Sequence, residues 1–159
     1  MAEVGQISGI YLISDMSKTD VEIDFPALVG KDYDLSEEDF NYNCLAYAVG
    51  DLGNWWEPPK QAGRYWPAGF GEDTTVRTVE SIVAVFGFTV EIDLMSCPET
   101  EAIAIYAEGS DWTHFARFSN GHWSSKLGEG HDVKRVDLKD LEGHLYGKVV
   151  KILSRPKTD

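Results

Sequence analysis

Asn41-Tyr42-Asn43-Cys44-Leu45-Ala46-Tyr47-Ala48-Val49-Gly50-Asp51 decides how this chain is read. Two turn-forming, cap-capable asparagines precede a cysteine, and a short apolar helical run follows. That order predicts Cys44 at or near a helix N-terminus, where unpaired N–H groups and the positive end of the dipole favour a thiolate. Read otherwise, Cys44 is a small buried hydrophobe beside Leu45 and Ala48. Immediately upstream, Ser36-Glu37-Glu38-Asp39 has the form of a capping box, so a helical turn either precedes the Cys44 helix or runs into it. In the second case Cys44 is interior and loses its dipole activation. His114, in Asp111-Trp112-Thr113-His114-Phe115-Ala116-Arg117-Phe118, tips the reading toward a nucleophile.

Size and charge set the frame. A chain of 159 residues, 43% hydrophobic and 12% aromatic, is a folded protein the length of a single domain. We read 1–159 as one domain, with 1–34 peripheral and 35–156 the core. The net charge of −13 and pI near 4.6 repel phosphate backbones and anionic lipid, which excludes nucleic acid and membrane surfaces as partners. Two cysteines, Cys44 and Cys97, make no disulfide framework, although one bridge between them is not ruled out by sequence. The start, Met1-Ala2-Glu3-Val4-Gly5, lacks a basic region leading into an apolar core, so the expectation is a cytoplasmic protein. A phage product, or an effector delivered without a signal peptide, has the same character.

Outward from the cysteine, residues 1–34 carry one strand candidate, Ile10-Tyr11-Leu12-Ile13, and then an irregular acidic run. Leu52 to Gly71 holds three prolines and four glycines, which forbid a long helix or a central strand. Its aromatics Trp55, Trp56, Tyr65 and Trp66 either close over the core as a lid or line a substrate groove. Thr74-Thr75 caps a helix whose Val76, Val79, Ile82, Val83 and Phe86 share one face, ended by Gly87. Strands are expected at Phe88–Ile92, Ala102–Ala107, His114–Phe118, His122–Leu127 and Tyr146–Leu153. Asn120-Gly121 makes the tight turn between the third and fourth. Gly128 to Asp132 reads as a loop, and Leu138 to Glu142 as a short helix. Helices first and a mostly antiparallel sheet after them is an α+β pattern.

A helix-borne cysteine followed by a histidine that opens a meander strand resembles the papain-like cysteine hydrolases, and the order and spacing are similar to the NlpC/P60 enzymes. The segments Asn43-Cys44-Leu45-Ala46-Tyr47-Ala48, His114-Phe115-Ala116-Arg117 and Trp123-Ser124-Ser125-Lys126-Leu127-Gly128 also resemble a family of small uncharacterised bacterial and phage domains of that papain-like type. The resemblance implies a papain-like single domain with N-terminal helices packed on the sheet, Cys44 as nucleophile and His114 as base. Cleavage of an amide, peptide or isopeptide bond follows, with an oxyanion held by the Cys44 N–H and a side-chain amide from Asn41 or Asn43. Either asparagine serves equally as a helix cap. The group that orients the histidine is expected on the strand paired with it, where the Asn120-Gly121 turn aligns Ser125 or Lys126. Lysine suits a protonated imidazole badly because like charges repel; Asp132 is chemically better but lies further on.

No cofactor is expected. His114, His122 and His131 with Asp132 match no metal-ligand spacing, and neither a P-loop nor a dinucleotide fingerprint is present. The partner is a peptide or amide substrate. In the alternative, a non-catalytic domain of immunity or inhibitor type, it is a protein bound through the acidic surface and the Trp-rich loop. Deamidation or acyl transfer by the same dyad is a third reading.

Overall fold

The computed structural model describes residues 18–128 and 130–156; the strand candidate at Ile10–Ile13 lies outside them. Residues 18–24 are helical (α1). There follow β1 (Asp34–Leu35), α2 (Cys44–Val49), α3 (Val76–Val85), β2 (Val90–Ile92), β3 (Glu101–Glu108), β4 (Asp111–Ser119), β5 (His122–Lys126), β6 (Asp132–Val136) and β7 (Lys148–Arg155), with short 3-10 turns at Pro26–Leu28 and Leu138–Leu141. The seven strands form one sheet in the order β1-β6-β5-β4-β3-β7-β2, every pairing antiparallel.

Each face of the sheet carries its own core. Ala102, Ala104 and Tyr106 of β3, with Ala116 and Phe118 of β4, meet Val21 and Phe25 of the N-terminal segment and Leu28. Ile103, Ile105 and Phe115 point the other way, toward Leu45, Ala46 and Ala48 of α2 and Val79, Ile82 and Val83 of α3. Residues 102–107 are buried throughout because both faces are covered, so β3 reads as a continuous apolar run. Each such Ile, Leu or Val contributes about 1.5–3 kcal/mol by burial. Among the described residues no helix is long and apolar enough to cross a membrane.

The expected papain-like α+β fold with N-terminal helices on the sheet is overturned. The molecule is dominated by its seven-stranded antiparallel sheet, and its helices are few and short. Three physical causes stand out. The capping-box serine makes no helix: Ser36 Oγ donates to the Glu37 carbonyl and accepts the Asp132 N–H, which holds the lead-in extended beside β6. Next, α2 stops after six residues, where Gly50 turns left-handed at φ 91°. Finally, two strands absent from the sequence reading, β1 and β6, extend the sheet beyond β5. Residues 18–24, expected to be irregular, are helical because Val21, Phe25 and Leu28 recur at the spacing of one helical face.

Other elements match their expectation. Thr75 caps α3 by accepting the Thr78 N–H, and Asn120-Gly121 turns β4 into β5 with φ of 56° and 85°.

Residues 52–71 form the irregular loop, tied to α2 by one side chain. Asn43 Oδ1 accepts the N–H of Ala46 at 3.2 Å and of Trp56 at 3.0 Å, while its Nδ2 donates to the Trp56 carbonyl at 2.7 Å. Asn43→Ala removes a cap worth about 1 kcal/mol and leaves two buried loop groups unpaired. We therefore expect a loss of about 2–4 kcal/mol in urea unfolding, with Asn43→Asp, which keeps the acceptor, falling between. A loss below about 1 kcal/mol for the alanine variant would contradict this role, since that is the cap alone.

Candidate active site

Residue Arg117 pairs with Ser124, Phe118 with Trp123 and Ser119 with His122; beyond Arg117, β4 runs on without β5 beside it. The parting of the two strands turns backbone groups of Phe115 toward the gap. Its carbonyl accepts Ser125 Oγ–H at 2.8 Å. Its N–H points at the thiol of Cys44, which also faces the N–H groups of Leu45 and of Cys44 itself in the open first turn of α2. Three amide hydrogens thus surround the sulfur and favour its anion. Burial outweighs them and pushes the thiol up to about 12.

His114 lies on β4 beside this gap, 1% exposed. Its Nε2 is bonded to Ser125 Oγ. Because that hydroxyl gives its own proton to the Phe115 carbonyl, it accepts from the imidazole, which fixes the Nε2–H tautomer and leaves Nδ1 as a bare acceptor. The ring is stacked on Tyr146 with centroids 3.6 Å apart and planes 2° from parallel, and Tyr106 meets it edge-on at 5.5 Å. Burial drives the imidazole down to about 3. The Tyr146 phenol is raised by burial and next by Cys44, so thiol and phenol share one electrostatic neighbourhood. Among the described residues no hydrogen bond joins Cys44 to His114; at rest the thiol and the imidazole are both neutral.

The remaining expected residues separate. Asp132 is not with the histidine: its carboxylate accepts Tyr42 O–H at 2.9 and 3.0 Å. Lys126, fully buried, donates to the carbonyls of Asp39 and Gly130 and lies 4.3 Å from the Tyr42 ring centroid, which pins the segment leading into α2. Burial lowers the lysine, against the opposing pull of Asp132, Asp39 and Glu38. Asn43 is the α2 cap and its amide is committed to Trp56. Asn41 is exposed and lines a concavity of about 420 Å³ with Phe40, Asn54, Trp55, Arg64 and Tyr65.

The four loop aromatics divide accordingly. Trp56 and Trp66 are core, 4% and 1% exposed, whereas Trp55 and Tyr65 wall the concavity. Cys97 is an exposed free thiol. Among the described residues no three His, Cys, Asp or Glu side chains gather as metal ligands would.

Tyr146 and the Phe115 peptide were not visible in the sequence. The one signal near Tyr146 is Gly147, at φ +71°, where an added Cβ would lie 2.4 Å from the Ala107 carbonyl oxygen. That close approach seats Tyr146 against His114, and the Tyr146 carbonyl in turn accepts Thr113 O–H.

Both shifts translate into stability. His114 has its folded pKa below the unfolded value of 6.5, so the unfolded chain binds more protons between about 3 and 6.5 and stability falls as pH drops through that window. Cys44 is raised from 9.0, so stability falls as pH climbs from 9.0 toward about 12. Between pH 7 and 5 His114 alone accounts for about 2 kcal/mol. Urea unfolding at the two pH values should show wild type losing that much more than His114→Gln; parallel losses would contradict the burial of a neutral imidazole.

No curated protein and no solved structure matches the chain. A model of the family described as "Domain of unknown function (DUF7689)" matches residues 33–154, which takes in α2, α3 and every strand up to all but the last residue of β7. The chain belongs to that family.

Proposed function

We propose that the protein is a cysteine hydrolase acting on an amide, peptide or isopeptide carbonyl, with Cys44 as nucleophile and His114 as base. The observation that carries this reading is the Ser125 hydroxyl, which locks His114 with Nδ1 unprotonated, while the N–H of the next residue, Phe115, favours the Cys44 anion. Ser125 is a positioning residue: it sets tautomer and ring orientation, and the Tyr146 stack prevents rotation.

In the acylation step Sγ–H passes its proton to Nδ1 as sulfur bonds to the carbonyl carbon. The oxyanion takes N–H bonds from the first turn of α2. Collapse breaks the C–N bond, the imidazolium protonates the leaving amine, and a thioester remains. Water, deprotonated by the same nitrogen, then releases the acid and the thiol. Because thiol and imidazole rest neutral, proton transfer accompanies attack rather than preceding it.

A second reading, a non-catalytic domain that binds a protein partner, is favoured by the missing hydrogen bond between Cys44 and His114 and by the burial that keeps both groups uncharged. The two separate cleanly by experiment. In a Cys97→Ser background, p-nitrophenyl acetate should release a burst of one p-nitrophenol per chain and leave an acetyl group on the Cys44 peptide, read by mass spectrometry. His114→Gln should slow the burst by roughly 10²-fold or more, and Ser125→Ala should slow it less while moving its pH profile. Acetylation that is absent, or as fast in the His114 variant with folding intact, would rule out the hydrolase.

A further inference from the structure

At the far end of α2 from Cys44, a concavity of about 220 Å³ opens between the helix C-terminus and strands β4, β5 and β6. We propose that it binds a phosphate-class oxyanion, independently of the chemistry at Cys44. In a chain with 27 acidic and 14 basic side chains, its lining includes Arg117, His122 and Lys134 and not one Asp or Glu.

The placement follows from strand register. Arg117 pairs with Ser124, and Ser124 with Lys134, so the three form a row across β4, β5 and β6. Strand spacing puts the two cationic residues about 10 Å apart at the backbone, with a hydroxyl between them. Tyr47 reaches down from α2 and donates to Ser124 Oγ at 2.8 Å, which leaves the serine's own proton to donate elsewhere. Ser119 adds a further hydroxyl.

A bulge keeps Lys134 on the row. The β5–β6 register shifts at Trp123/Ser124, and Arg135 takes φ of 65°, rare for a side chain of its size. The bulge lets Arg135 grip Asp34 through two 3.0 Å bonds; Asp34 also stands opposite Lys134 and feels its charge, but among the described residues the Lys134 side chain makes no hydrogen bond. Arg117 is held in place by Glu101 at 3.1 Å and by the Ala48 carbonyl at 3.4 Å. Gly50 belongs to the same fit, since a Cβ there would lie 3.1 Å from the Arg117 guanidinium.

Two separated cations with the Ser124 hydroxyl between them and the Ser119 hydroxyl at the end of β4 suit a tetrahedral anion of more than one charge. A carboxylate, with two oxygens in one plane, leaves donors unused.

The test is a titration of the full chain with inorganic phosphate, and separately with phenyl phosphate, at ionic strength held constant with sodium chloride. Amide NMR shifts of residues 117–124 are the readout. Saturation by inorganic phosphate, or by phenyl phosphate alone, supports the site and tells a free ion from a phosphoryl group on a larger ligand. Lys134→Gln should weaken binding roughly tenfold, the worth of one charge-assisted hydrogen bond, without altering the unfolding midpoint. Shifts that do not saturate with either probe, or saturate equally in Lys134→Gln, or are matched by acetate, overturn it.

Discussion

The parting of β4 from β5 beyond Arg117 and Ser124 is the constraint from which the rest of the site follows. An antiparallel pair satisfies its backbone groups automatically while the strands stay together, and leaves them exposed where they separate. At this break the Phe115 carbonyl finds its partner in the Ser125 side chain, and its N–H acts on the Cys44 thiol in favour of the anion. One peptide unit therefore gathers a thiol, a hydroxyl and, through that hydroxyl, an imidazole. None of the three needs to be catalytic for the arrangement to form, because an unpaired buried peptide costs free energy whatever its neighbours do. What chemistry adds is the tautomer, which leaves one imidazole nitrogen with a lone pair and no hydrogen-bond partner among the described residues.

Burial on both sides of the sheet sets the electrostatics. Although Cys44 is only partly buried, desolvation keeps its thiol protonated despite nearby amide hydrogens, and the fully buried imidazole of His114 refuses a proton. This is the reverse of the helix-terminus expectation, in which dipole and open N–H groups stabilise a thiolate. A six-residue helix has a small dipole, and desolvation of a charge is the larger effect at short range. Separation of charge at this site is therefore coupled to whatever brings water or a polar substrate group into the gap.

Much of this was legible in the chain because it rests on local chemistry. Cys44 at or near a helix N-terminus, Thr75 before α3, and the Asn120-Gly121 turn each depend on a few neighbouring residues. Aligning that turn narrowed the residue opposite the histidine strand to Ser125 or Lys126, and it is Ser125 that bonds His114. The sequence was silent wherever distant segments met. Asp132 was chemically attractive, yet Tyr42, ninety residues earlier, holds it away from the histidine. Strands β1 and β6 carry charges such as Asp34, Lys134 and Arg135 and so lack an apolar alternation; only their pairing makes them strands. The fold class failed for that reason, since two strands too few and helices too many turn a sheet-dominated molecule into an α+β expectation. The aromatic loop was readable as either lid or groove wall; Trp56 and Trp66 lie in the core, whereas Trp55 and Tyr65 line a surface concavity that does not include Cys44.

The sheet ends in a stub on each side: two residues of β1 and three of β2. A sheet of seven strands with a long open edge would offer another chain a row of free N–H and C=O groups to extend. Here the outermost ladders are too short to template such growth, and one edge carries Asp34 clasped by Arg135. Among the described residues those two stubs limit the length of ladder that a neighbouring chain could extend at either end of the sheet.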